Sequence, residues 1–229
     1  IAPKYNKYNF LFTDLKALDI TNKLAVQNYL TNNNINTIIN CAAYTAVDKA
    51  ESEPALANNI NHLAVANFAQ LAKDKNIKLI HISTDYVFDG KAHTPYSETD
   101  VPNPPSVYGK TKLAGEQAMQ KINPANSIII RTSWVYSKYG NNFVKTMLRI
   151  AKERDEINVV ADQIGTPTNA ADLAQTILAI LPKIKNEEVE LYHYSNEGVC
   201  SWYDFTKAIF EIKGLPTKVM SIESSQFPT

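Results

Sequence analysis

KLIHISTDYVFDG, residues 78–90, is the stretch on which the fold turns. Its apolar run, ending in Ser83 and Thr84, reads as a strand buried on both faces, the pattern of a parallel sheet. Immediately upstream, TAVDKAESEPALANNINHLAVANFAQLAKDKN (45–76) is polar at first and then strongly helical, with Leu63, Ala66 and Phe68 to Leu71 on its buried side. Before it lies a second continuous apolar strand, NTIINCAAY (36–44). LDITNKLAVQNYLTNNN (18–34) offers Thr21 as a helix N-cap and Leu24, Ala25 and Leu30 as an apolar stripe. Residues 1–7 read as a helix end or loop, followed by a strand from Asn9 to Thr13 with Asp14 at its end. Strand, helix, strand, helix, strand argues for the α/β class and a right-handed, doubly wound parallel sheet. Ligands of such sheets bind outside the carboxyl ends of the strands, where Asp14, Ala43 and Thr84 all fall. The small residues Ala42 and Ala43 would let a cofactor approach the backbone, or else serve close packing of strand on helix.

Downstream, a Pro-studded loop leads into VYGKTKLAGE (107–116), the start of a helix carrying Tyr108 and Lys112. Four residues apart, they lie one turn apart on the same helical face. A phenol titrates near about 10, and an ammonium beside it favours the phenolate, moving its acidity toward the working pH. That suits a general acid or base, with the Thr84 hydroxyl hydrogen-bonding the same substrate oxygen. Spacing alone is not diagnostic, because Tyr203 and Lys207 repeat it inside WYDFTKAIF; that second pair reads as structural.

SIIIRTSWVY (127–136) is another buried strand, and Trp134 past its end is equally a rim residue or a core anchor. A helix follows in KYGNNFVKTMLRIAKERDE, capped by Asn141 or Asn142, and then a short strand, INVVAD. Pro167 and Asn169 mark a turn and the next helix start, ELYHYSNE is a strand, and Ser201 caps a helix over SWYDFTKAIFEIKG. KVMSIESSQFPT closes the chain as strand and loop.

With 229 residues, 45% of them hydrophobic, the chain can bury a sizeable core. Lys plus Arg (23) balance Asp plus Glu (23), which argues against a nucleic-acid or anionic-membrane partner. Cys41 and Cys200 read as buried or partly buried free thiols of a reducing compartment, and four scattered histidines form no ligand pattern. No apolar run approaches membrane-spanning length, so a cytoplasmic protein is expected. A Gly-rich phosphate turn of the G-x-G-x-x-G kind is absent among the 7 glycines.

INCAAYTAVDKAESEP, STDYVFDG, VYGKTKLAGE, RTSWVYSKYGNNFVKTMLRIAKE, DQIGTPT and LYHYSNEG together resemble the extended short-chain dehydrogenase/reductase superfamily and, within it, the dTDP-4-dehydrorhamnose reductases. The resemblance spans nearly the whole chain. It implies a Rossmann-type sheet with a smaller interleaved α/β substrate-binding lobe. The dinucleotide-binding part would take 1–136 and 169–196, and the lobe 137–168 and 197–229. Because the family begins with a strand and Gly-rich loop and continues past FPT, the sequence reads as a fragment of a longer protein.

Carried over residue by residue, the resemblance implies Thr84, Tyr108 and Lys112 as the catalytic set. It implies Asp14, Asp19 and Ile20 around the adenosine end of the cofactor, Ala42, Ala43, Tyr44 and Thr45 along it, and Tyr108 and Lys112 beside its nicotinamide ribose. Thr84, Asp85, Tyr86 and Trp134 would hold a dTDP-sugar, with Val47 touching it through its backbone. The implied reaction is reduction of a 4-keto sugar to dTDP-L-rhamnose by NADPH or NADH. Magnesium at a subunit contact and a homodimer are compatible with the family. Two rivals share parts of the pattern: a non-catalytic subunit resembling the regulator of methionine adenosyltransferase, and an epimerase or dehydratase of another nucleotide sugar. The intact Thr84, Tyr108 and Lys112 argue for an enzyme. Asp85 followed by Tyr86, in place of an acidic pair, argues against dehydration.

Overall fold

A computed structural model describes residues 8–227. The strands run β1 (Thr37–Asn40), β2 (Lys78–Thr84), β3 (Ser127–Thr132), β4 (Val135–Tyr136), β5 (Glu156–Val160), β6 (Ile164–Gly165), β7 (Thr168–Asn169), β8 (Glu190–His193), β9 (Cys200–Ser201) and β10 (Lys218–Ile222). The α-helices are α1 (Lys23–Asn32), α2 (Val47–Ser52), α3 (Pro54–Asn58), α4 (Ala64–Lys75), α5 (Val107–Ile122), α6 (Phe143–Ile150), α7 (Ala170–Ile180) and α8 (Trp202–Lys213). The reading of residues 1–7 as a helix end or loop, and of the last two residues as loop, falls outside the described residues.

The chain divides into two compact units, 1–132 with 179–193 and 133–178 with 194–229. The second unit takes in residues 133–136 and most of α7, which the sequence reading allots to the first. Within the first unit, β1, β2, β3 and β8 form one sheet in that order, every pairing parallel. Each of the six residues of β3 is buried, as a central parallel strand requires. Val26 and Leu30 of α1, the apolar face of α4 and Met119 of α5 pack with Ile38, Leu79 and Ile129 of the sheet into one core. This is the α/β fold with a parallel sheet that the alternating pattern implied.

Two local expectations are corrected. Residues 9–13 pair with no strand among the described residues; Leu11 and Phe12 are exposed, and Phe10 stacks on Phe12 at 5.8 Å and meets Tyr8 edge to face at 6.0 Å. Apolar alternation makes a strand only where a neighbour accepts its hydrogen bonds. Helix α1 is capped by Asn22, whose side chain accepts from the Ala25 amide at 3.0 Å, and not by Thr21, which turns its hydroxyl to Asp19 at 2.7 Å. The caps expected at Asn142 and Ser201 are present, the latter as a full capping box with Asp204.

In the second unit, β5 and β10 pair in parallel and are covered by α6 and α8, with Met147, Ile157, Val159, Ile209 and Phe210 at the centre. Trp134 lies in this unit at φ +47, its ring stacked on Trp202 at 3.4 Å. Gly165 packs so closely against the Trp134 indole that a Cβ would collide with it. Among the described residues, no helix is long and apolar enough to cross a membrane.

Candidate active site

Helix α5 starts where the Ser106 hydroxyl accepts from the Gly109 amide at 3.1 Å and Glu51 accepts the Val107 amide at 2.8 Å. Its inner face then presents Tyr108, Lys112 and Glu116 at intervals of four, all buried. Strand β2 runs beneath and ends in Ser83 and Thr84, followed by a short 3₁₀ turn over Asp85–Val87. Lys112 Nζ donates to the Ile82 carbonyl at 2.7 Å. Thr84 stands beside the Tyr108 phenol, donates to Asp85 Oδ1 at 3.1 Å, and accepts from the Tyr86 amide at 3.2 Å. Tyr86 meets Tyr108 edge to face at 5.5 Å. The structure therefore brings Thr84, Asp85, Tyr86, Tyr108 and Lys112 together at the carboxyl end of β2.

The electrostatics differ from the simple expectation for a phenol beside an ammonium. Burial pushes the Tyr108 phenol up to about 12; the Thr84 hydroxyl opposes this, while Asp85 and Tyr86 add to it. Burial also pulls Lys112 down to about 8, with Glu116 and Cys41 pulling it back up. Desolvation thus outweighs pairwise attraction at both groups, because each charged form loses more from leaving water than its neighbours return. At neutral pH the phenol holds its proton and the lysine is largely an ammonium. Asp85 is raised to about 6, again mainly by burial.

The decoy pair separates cleanly. Lys207 is exposed and lies 5.4 Å from the Tyr203 ring centroid as a surface cation–π contact.

Residues 42–45 follow the carboxyl end of β1 as a shelf pinned from two sides. Asn40 Oδ1 accepts from the Ala42 amide at 3.1 Å, and Asn61 brackets Tyr44, accepting from its amide at 2.8 Å and donating to its carbonyl at 3.1 Å. Ala42 and Thr45 are exposed, Ala43 and Tyr44 half-buried. The Tyr44 hydroxyl donates to Glu53 at 2.6 Å. Asp14 accepts from the Ala17 amide at 2.9 Å in a turn, Asp19 is exposed and held by Thr21, and Ile20 packs against the core of the first unit. Cys41 and Cys200 are both free, but Cys41 is exposed and not buried, since it stands just past the end of its strand.

Four residues that sequence reasoning did not single out complete the site. Asn61 sits in a π-helical turn, Asn59–Leu63, and also donates to Thr111 of α5 at 3.1 Å, joining the 42–45 shelf to the dyad helix. Among so many asparagines nothing local marked it. His81 is fully buried, its Nδ1 3.1 Å from the Asn40 amide nitrogen and its Nε2 without a partner, and burial with the Lys112 charge holds it well below its usual range, hence neutral. Glu116 and Arg131 form a buried ion pair, Nη2 to Oε2 at 2.7 Å. The signal was present there: a lone arginine inside SIIIRT demands a buried counter-charge.

The contact between α5 and the π-helical turn depends on Gly115. A Cβ at that position would run into the Asn61 backbone carbonyl and sit 3.5 Å from Val65. Gly115→Ala is expected to cost about 1–3 kcal/mol by overpacking. A urea titration following circular dichroism checks this; an unchanged midpoint would show that the two elements separate freely.

The chain matches the family model described as the RmlD substrate binding domain over residues 3–229. It is 44% identical to a dTDP-4-dehydrorhamnose reductase of Aggregatibacter actinomycetemcomitans, over 97% of this chain and 79% of that one. It is 47% identical to the dTDP-4-dehydrorhamnose reductase of Escherichia coli, over 84% and 67%. A crystal structure of the dTDP-4-dehydrorhamnose reductase of Bacillus anthracis in complex with NADP superposes with a TM-score of 0.92, at 44% identity, over 97% of this chain and 79% of that one.

Proposed function

We propose, from the premise that this chain belongs to the RmlD substrate-binding-domain family, that it reduces the C4 keto group of dTDP-4-dehydrorhamnose to give dTDP-L-rhamnose. NADPH or NADH supplies the hydride. The observation that carries the mechanism is the burial of Tyr108 and Lys112 on one face of α5, beside the Thr84 hydroxyl at the end of β2.

The Tyr108 phenol, protonated across the neutral range, donates to the oxygen that gains charge as C4 is reduced. Thr84 offers its hydroxyl to the same oxygen. Lys112, fixed by the Ile82 carbonyl, stabilises the phenolate left behind. Tyr108 and Lys112 also face the nicotinamide ribose in this reading. The pinned 42–45 backbone gives the cofactor a rigid edge, with Asp14, Asp19 and Ile20 toward its adenosine end. Asp85 and Tyr86 contact the sugar nucleotide, and Trp134 keeps the same assignment from sequence. The residues fit a dinucleotide: the shelf is exposed at Ala42 and Thr45, and its amides are already oriented by Asn40 and Asn61.

The reading extends to a cytoplasmic homodimer. Among the described residues no group of three or more His, Cys, Asp or Glu side chains could hold a metal ion, so no step is assigned to magnesium. The test is an assay of the full-length protein with NADPH and dTDP-4-dehydrorhamnose. Consumption of reduced nicotinamide with formation of dTDP-L-rhamnose is expected. Absence of turnover, or formation of the C4 epimer, would refute the assignment.

A further inference from the structure

We propose that Glu116 is a positioning residue for the Tyr108–Lys112 pair: its carboxylate, clamped by Arg131 and Ser83, keeps Lys112 charged beside the phenol. The inference rests on the reductase reading and deepens it. Glu116 stands one turn beyond Lys112 on α5 and is 1% exposed. Arg131 of β3 holds both its oxygens, through Nη2 at 2.7 Å and Nε at 3.1 and 3.2 Å, and the Ser83 hydroxyl of β2 donates to Oε1. A carboxylate held by three such donors cannot swing away.

Several groups face Lys112 or its partners. From its own helix these are Tyr108 and Glu116. From the end of β1 comes Cys41, whose thiol the surrounding protein pushes up and so keeps neutral. From β2 come the Ile82 carbonyl, the Ser83 hydroxyl and His81, which burial holds neutral. Arg131 of β3 stands behind Glu116. On its far side its Nη1 lies 3.5 Å from His193 Nε2, and Glu98 accepts the His193 amide at 2.8 Å. Asp85, at about 6, is also an anion at neutral pH, but it acts on Tyr108; the carboxylate that holds Lys112 up is Glu116. Burial already brings Lys112 to about 8 with Glu116 in place. Without that carboxylate the ammonium loses its proton at lower pH, and the phenolate formed on proton transfer loses the positive charge one turn away.

The experiment is the pH profile of kcat for the full-length enzyme and for Glu116→Gln. The wild type is expected to lose activity on the alkaline side near the Lys112 value, about 8. Glu116→Gln should move that limb down by about one pH unit or more, and Glu116→Asp should return it toward the wild-type position. A purely structural role would lower the melting temperature or scale kcat at every pH and leave the limb in place. Where Glu116→Gln does not fold, Glu116→Gln with Arg131→Gln leaves no guanidinium unpaired; because it removes one charge of each sign, its limb should lie below that of the wild type by less than the single substitution shifts it. A wild-type limb at about 10 or above, or a variant limb superimposed on the wild type, overturns the proposal while turnover by the wild type preserves the reductase reading. Absence of wild-type turnover refutes that reading instead.

Discussion

Tyr108→Phe is expected to lower kcat by about 10²–10⁴-fold, the range over which a positioned proton donor acts, while the KM values change little. The ring remains, with its edge-to-face contact to Tyr86 and its burial, so the helix keeps its packing. What disappears is the hydroxyl that stands beside Thr84 and holds the transferable proton. Loss confined to kcat is the signature of an interaction made in the transition state and not in the ground state. Steady-state kinetics with NADPH and the 4-keto sugar nucleotide measure it, and a kcat within threefold of wild type (on the order of half a kcal/mol) would remove Tyr108 from its role. Tyr203→Phe is the matched control, since its lysine partner is exposed on the surface.

Arg131→Met is the substitution expected to cost most in stability, about 3–5 kcal/mol. It leaves the Glu116 carboxylate buried with only the Ser83 hydroxyl and the Lys112 charge to compensate it. It also removes the guanidinium from the Phe88 ring, whose centroid is 5.0 Å away. Replacing both partners, Glu116→Leu with Arg131→Met, should recover most of the loss, because no uncompensated charge remains. Urea unfolding must be followed by circular dichroism. Both tryptophans, Trp134 and Trp202, belong to the second unit, whereas Arg131 lies in the first. A single substitution costing under about 1 kcal/mol, the scale of an exposed pair, would mean that water reaches the carboxylate.

Much of the architecture was legible from residue patterns. LIHI and SIIIRT are continuous apolar runs separated by helical segments, and they become adjacent parallel strands β2 and β3. Ser201 and Asn142 announced their helices because a cap is a contact within three residues. The run at Asn9–Thr13 misled, since pairing depends on a neighbour elsewhere. Thr21 lost the cap to Asn22 because Asp19 offered its hydroxyl a nearer acceptor. Asn61 was invisible for the converse reason: its partners, Tyr44 and Thr111, lie 17 and 50 residues away.

By itself the sequence determined that this is a parallel α/β fold, and that Tyr108 and Lys112 share one helical face, because periodicity is a property of the local chain. Only the tertiary structure decided which Tyr-Lys pair is buried, and which way each group titrates. It also decided that Glu116 meets an arginine from a neighbouring strand. Desolvation depends on everything packed around a group, and no spacing along the chain encodes it.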